Sequence, residues 1–161
     1  MRKITYILAG LLLITITSCN DQPREIEWME GTTDEMLAML ADQFGGFDRT
    51  MKEVGYRYNE IYWAGLDENW EYALYQLNEM TGTLEAGFTR RPAREESANM
   101  FMNVNIPELE AALNEGDPEL FRQRFESFTS ACNTCHVNED VRYMYVKPLE
   151  HRQSPIHKEP S

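Results

Sequence analysis

Apolar residues along the middle of the chain recur every three or four positions, the period of a helix with one buried face. Leu37, Leu40, Phe44, Phe47, Met51, Val54, Tyr58 and Ile61 form the longest such series. The Gly45-Gly46 pair interrupts it, because glycine is costly inside a helix. The helix therefore either kinks there or starts just after it. Residues 67–69 break the pattern and offer capping side chains to a second helix over about 69–88. Its stripe is Trp70, Ala73, Leu74, Leu77, Met80, Leu84 and Phe88, and a basic, proline-containing turn follows at residues 89–92. The third region is weaker. Met100, Phe101 and Met102 fall in 95–104 without a clean stripe. Ile106, Leu109, Ala112 and Leu113 then share a face, with Pro107 suited to a first turn and Gly116 to a C-terminal cap. A fourth helix opens at Asp117-Pro118, an N-cap followed by proline. Leu120, Phe121, Phe125, Phe128, Cys132, Cys135 and His136 follow at spacings of three and four. Beyond His136 the pattern fades. Tyr143, Tyr145 and Pro148 suggest an extended segment, and the chain from His151 is polar and expected to be mobile.

Four helices with short connections and no strand-rich stretch predict an all-α fold, an antiparallel up-down four-helix bundle. The domain occupies residues 33–148 and the tail 149–161. Tyr58, Tyr62, Trp63 and Trp70 read as core and interface aromatics, His151 and His157 as solvated tail residues.

The N-terminus is of a different kind. Arg2 and Lys3 precede an apolar run over residues 6–16, too short for a typical membrane span. Ile16-Thr17-Ser18 then lead to Cys19. Residues 1–18 read as a secretory signal whose end resembles a bacterial lipobox, so Cys19 is the expected lipidation site. Residues 19–32 are polar, with Pro23 and Gly31, and make a tether, from which Trp28 and Met29 can pack back on the domain. The expected location is outside the cytoplasm, in the periplasm or on the outer membrane, held by lipid alone.

The formal charge is −12, and losing Arg2 and Lys3 with the leader takes it to −14. That excludes ordinary nucleic-acid binding, which needs clustered cations, and electrostatic adhesion to anionic lipid. A protein partner with a basic face fits, and a homodimer stays open.

With Cys19 assigned to lipid, Cys132 and Cys135 remain, two residues apart and followed by His136. On a helix these three side chains lie on one side. C-x-x-C-H is the attachment signature of haem c: two thioethers fix the edge of the macrocycle and the adjacent imidazole reaches the iron. Phe121, Phe125 and Phe128 lead into Cys132 on the same stripe, so the motif faces the bundle interior, where a porphyrin can be buried. Two other readings remain. A C-x-x-C pair can be a redox dithiol, although those sites usually open a helix in a βαβ unit. Zinc would need further ligands, and only His151 and His157 offer nitrogen.

Met51, Ile61-Tyr62-Trp63-Ala64, Asn69-Trp70, Ala73, Tyr75 and Glu79, together with Ala131-Cys132-Asn133-Thr134-Cys135-His136, resemble a group within the cytochrome c-prime superfamily. The resemblance spans roughly residues 44–148. It implies one covalent haem on the last helix, in either a five-coordinate or a six-coordinate, low-spin form. Asn138-Glu139-Asp140 departs from the small or basic residues usual after the histidine, and Arg142 stands as the nearest basic counterpart. In an up-down bundle the distal face of such a haem meets the first half of the first helix. Met51 lies there, on the apolar stripe, and a thioether opposite His136 would suit electron transfer. Met36 or Met39 would serve if the helix starts earlier, and Phe47 or Val54 would leave the iron five-coordinate. The expected function is one-electron transfer by His136/Met51 haem. The alternatives are NO or CO binding by five-coordinate haem, and a haem-free dithiol or metal module. No acid–base pair or nucleophile stands out, so no enzymatic activity is expected.

Overall fold

The computed structural model describes residues 29–159; the leader, Cys19, Trp28 and most of the tether lie outside the described residues. The chain divides into two units, Met1–Gln43 and Phe44–Ser161. The first contains α1 (Thr33–Gln43). A reciprocal cap opens it: the Thr32 N–H donates to Glu35 Oε2 at 2.7 Å and the Glu35 N–H donates to Thr32 Oγ1 at 3.4 Å. Hydrogen bonds from Thr32 hold the Glu35 carboxyl below its usual range. α1 buries no residue, and Leu37 on its stripe is 58% exposed.

The second unit holds α2 (Phe47–Leu66), α3 (Trp70–Arg90), α4 (Glu95–Met100), α5 (Ile106–Glu115) and α6 (Pro118–Asn138). A short 3-10 turn, Pro92–Arg94, leads into α4, and a π turn, Phe101–Asn105, joins α4 to α5. The described residues are helical, with no strand among them. The paired glycines separate two helices rather than kink one: Gly45 is left-handed (φ 67°), and Gly46 is the extended N-cap of α2. The π turn explains the blurred third region of the sequence. A π turn takes more residues than an α turn, so the apolar positions on either side fall out of a 3.6 period. Its Phe101 ring lies 4.8 Å from Phe128 of α6. The later signals are met as read. Gly116 is left-handed (φ 71°) after α5, and Asp117 accepts from the N–H groups of Glu119 and Leu120 at the start of α6.

α2 packs extensively on α3 and much less on α6, while α5 packs on both α3 and α6. Partners along α2 and α3 run in opposite order. Thr50 lies against Gly87, Arg57 bonds Gln76 and Glu60 accepts from the Tyr72 hydroxyl. Along α2 and α6 the same holds: Gly65 abuts Phe121 and the Tyr58 hydroxyl is bonded to Thr129 Oγ1 at 2.8 Å. The aromatic core joins these helices through Tyr58, Tyr62 and Trp70 against Phe121, Phe125 and Phe128.

Gly65 marks the closest approach of α2 to α6. A Cβ there would lie 2.1 Å from Phe121 Cζ, and that ring is held by Trp70 and Phe125. Gly65→Ala gains about 1 kcal/mol of helix propensity against roughly 1–3 kcal/mol of overpacking. We expect a net loss of stability in urea denaturation; a neutral or stabilising result would show that Phe121 can step aside.

The polar tail has definite partners. Arg152 grips the Asp67 carboxylate with both guanidinium nitrogens, at 2.7 and 2.6 Å, and lies over the Trp63 ring. Its hydrogen bonds hold the Asp67 carboxyl below the usual range. Ser154 donates to the buried Glu60. No helix among the described residues is long and apolar enough to cross a membrane.

Candidate functional site

Cys132, Cys135 and His136 lie in the last two turns of α6, where the aromatic stripe carries them to the end of the core. Both thiols are free. Burial pushes the Cys132 thiol up to about 12, with the neighbouring Cys135 adding to the rise. Cys135 is also raised by burial, against the opposing effects of a Ser97 hydrogen bond and the Arg94 charge. Burial thus favours the neutral thiol at both positions.

Residues from other helices complete the surroundings. Burial chiefly pushes the Tyr58 hydroxyl of α2 up to about 12, and the nearby Cys132 adds to the rise. α4 and the segment before it bring Ser97 and Arg94, both bonded to Glu139 just beyond α6. The arginine beside the motif is thus Arg94. Sequence spacing could not find it, because it comes from another helix.

His136 is half-buried, and its ring is tied off on one side. The Nδ1–H donates to the Met144 carbonyl oxygen at 2.5 Å. That bond places a proton on Nδ1, so that Nε2 is the nitrogen a metal would take. Met144 returns to the helix because the chain reverses after it: Asp140 is left-handed (φ 59°), and the Val141 N–H bonds the His136 carbonyl at 2.8 Å.

Met51 lies in the second turn of α2, partly buried and packed on the core with Phe47 and Val54. Its relation to His136 is one of register. Tyr58 pairs with Thr129; seven residues further towards the same end, α2 reaches Met51 and α6 reaches His136. Three residues beyond Tyr58–Thr129 in that direction come Gly55 and Cys132. A Cβ at Gly55 would meet nothing within 4 Å. Gly55 is exposed, so α2 presents an uncovered surface beside the level of the cysteines. Met36 and Met39 belong to α1 in the other unit, and Cys19 lies outside the described residues.

These features fit a haem c: two free thiols one helical turn apart and an adjacent imidazole with Nε2 available. They fit the alternatives less well. Partly buried thiols near the C-terminal end of a helix lack the electropositive helix N-terminus that favours a reactive dithiol. Among the described residues, no three of His, Cys, Asp and Glu gather as a metal site. No protein-family model, curated protein or solved structure matches the chain.

Proposed function

We propose that this chain is a monohaem c-type cytochrome of the c-prime superfamily, an up-down four-helix bundle that carries one electron at a time. The observation that carries this reading is the state of the motif on α6. Cys132 and Cys135 are unpaired thiols on one helical turn, and the adjacent His136 has its Nδ1 occupied by a backbone carbonyl. A haem c, when bound, supplies a ferric/ferrous couple. Cys132 and Cys135 would hold it through thioethers, and His136 Nε2 would be an iron ligand. Met51 is the second candidate ligand, a reading supported by the register of α2 against α6. Tyr58, Phe125 and Phe128 form the core beside the motif and would present an apolar face to a bound porphyrin.

The chain is proposed to act outside the cytoplasm, tethered by lipid on Cys19. Its charge of −14 without the leader favours a redox partner with a basic face. The test is direct. Protein matured in a host with a haem-attachment system should keep its haem through denaturation and acid–acetone extraction. It should also show the optical and EPR spectra of low-spin ferric iron. Freely extractable porphyrin, or none, overturns the reading. A high-spin spectrum with ready CO or NO binding would keep the haem and move the function to gas binding.

A further inference from the structure

We propose that Asn133, the first residue between the two cysteines, is a positioning residue for His136; this rests on the haem reading above. Asn133 lies one turn before His136 on α6. Its side-chain amide meets the returning chain like a peptide group. Nδ2 donates to the Val146 carbonyl at 2.9 Å, and Oδ1 accepts from the Val146 N–H at 2.8 Å. Nδ2 also donates to the Thr129 carbonyl one turn back at 3.1 Å, which anchors the side chain to its own helix. Two residues before Val146 is Met144, whose carbonyl accepts from His136 Nδ1. Pinning the Val146 peptide groups therefore pins the Met144 oxygen.

Between the helix end and the Arg152 anchor, the return segment has few other contacts. Tyr143 and Tyr145 are each 75% exposed and Met144 is 54% exposed, so these side chains contribute little burial. Val146 alone among them packs on the core. The remaining local bonds, Val141 to His136 and Met144 to Val141, shape the turn without fixing its far end. Only a carboxamide both donates and accepts in one plane, and serine, threonine or ionised aspartate cannot replace both bonds. Asn133 thus holds the carbonyl that sets the tautomer, ring orientation and basicity of the axial imidazole. The residue lies inside the attachment motif yet acts on the ligand rather than on the thioethers.

The test uses the holoprotein, with Asn133→Ala and Asn133→Asp. Both should keep covalent haem through acid–acetone extraction. In Asn133→Ala the Val146 amide should exchange about tenfold faster or more, the loss of one ordinary hydrogen bond. The ferric EPR g-values should shift, and the reduction potential should rise, because a less basic imidazole favours the ferrous state. Asn133→Asp keeps the acceptor for the Val146 N–H and should fall between. Faster Val146 exchange with unchanged g-values and potential would make Asn133 a structural clamp only and overturn the proposal. In case neither variant matures, the unmutated ferrous protein serves. Its His136 Nδ1 proton should exchange slowly, and rapid exchange with solvent overturns the proposal. Absence of haem from the unmutated protein brings down the haem reading and this inference together. Haem present with unaltered variant spectra brings down the inference alone.

Discussion

Alanine at both Cys132 and Cys135 is expected to yield protein from which every trace of haem extracts with acid–acetone. Each single replacement should leave one thioether, with a lower yield of holoprotein and a shifted ferrous α-band. The two positions should not behave alike. Cys132 is the more deeply placed, close to Tyr58, and its thiol is pushed up to about 12. Cys135 faces Ser97 and Arg94 at the edge of the bundle. Loss of Cys132 removes the inner anchor beside the aromatic core and should harm maturation more. The measurement is haem stain and intact mass under denaturing conditions. Two free thiols titrating at Cys132 and Cys135 in the unmutated, denatured protein would reverse the conclusion and return the dithiol reading.

Met51→Ala should convert low-spin ferric iron to high-spin and turn a reduced protein that resists CO into one that binds it stoichiometrically. The reduction potential should fall, because a thioether ligand favours the ferrous state. The reason lies in the packing of α2. Met51 is partly buried on the core with Phe47 and Val54, and Phe47 is itself stacked on Phe88 at 5.7 Å between ring centres. Its side chain is thus held before the ligand arrives, at little cost in ordering. The Thr50–Gly87 contact fixes the same turn against α3. An unmutated protein that is already high-spin would make Met51 core filling and the protein a gas binder. A Met51→Ala protein that stays low-spin would give the sixth position to another residue, and Met36 and Met39 on α1 would be tested next.

The sequence alone carried most of the helices and the motif on which the proposed chemistry rests. Asp117-Pro118 marked the start of α6 because a carboxylate cap and a residue without an N–H solve the same problem, unpaired donors in the first turn. Gly116 marked the end of α5 because only a residue without Cβ enters the left-handed region freely. The stripe Phe121, Phe125, Phe128, Cys132 was readable because burial and helical period are local properties. Cys132, Cys135 and His136 were readable for the same reason, since their chemistry lies within five residues. At Gly45-Gly46 the sequence left two outcomes, a kink or a fresh start, and the packing of α2 on α3 decided for the second. The π turn was hidden, because it erases the period by which helices are read. Tertiary structure alone brought Arg94 and Ser97 to Cys135, Tyr58 to Cys132, and the Met144 carbonyl to His136. Those partners are separated from the motif by up to 74 residues (Tyr58 to Cys132) or by a chain reversal. Polar contacts between particular side chains of two helices leave no periodic mark in either segment. The tail shows the same limit. Its polarity suggested motion, but Arg152, Ser154 and Lys158 find Asp67, Glu60 and the Glu68 carbonyl only once α2 has folded.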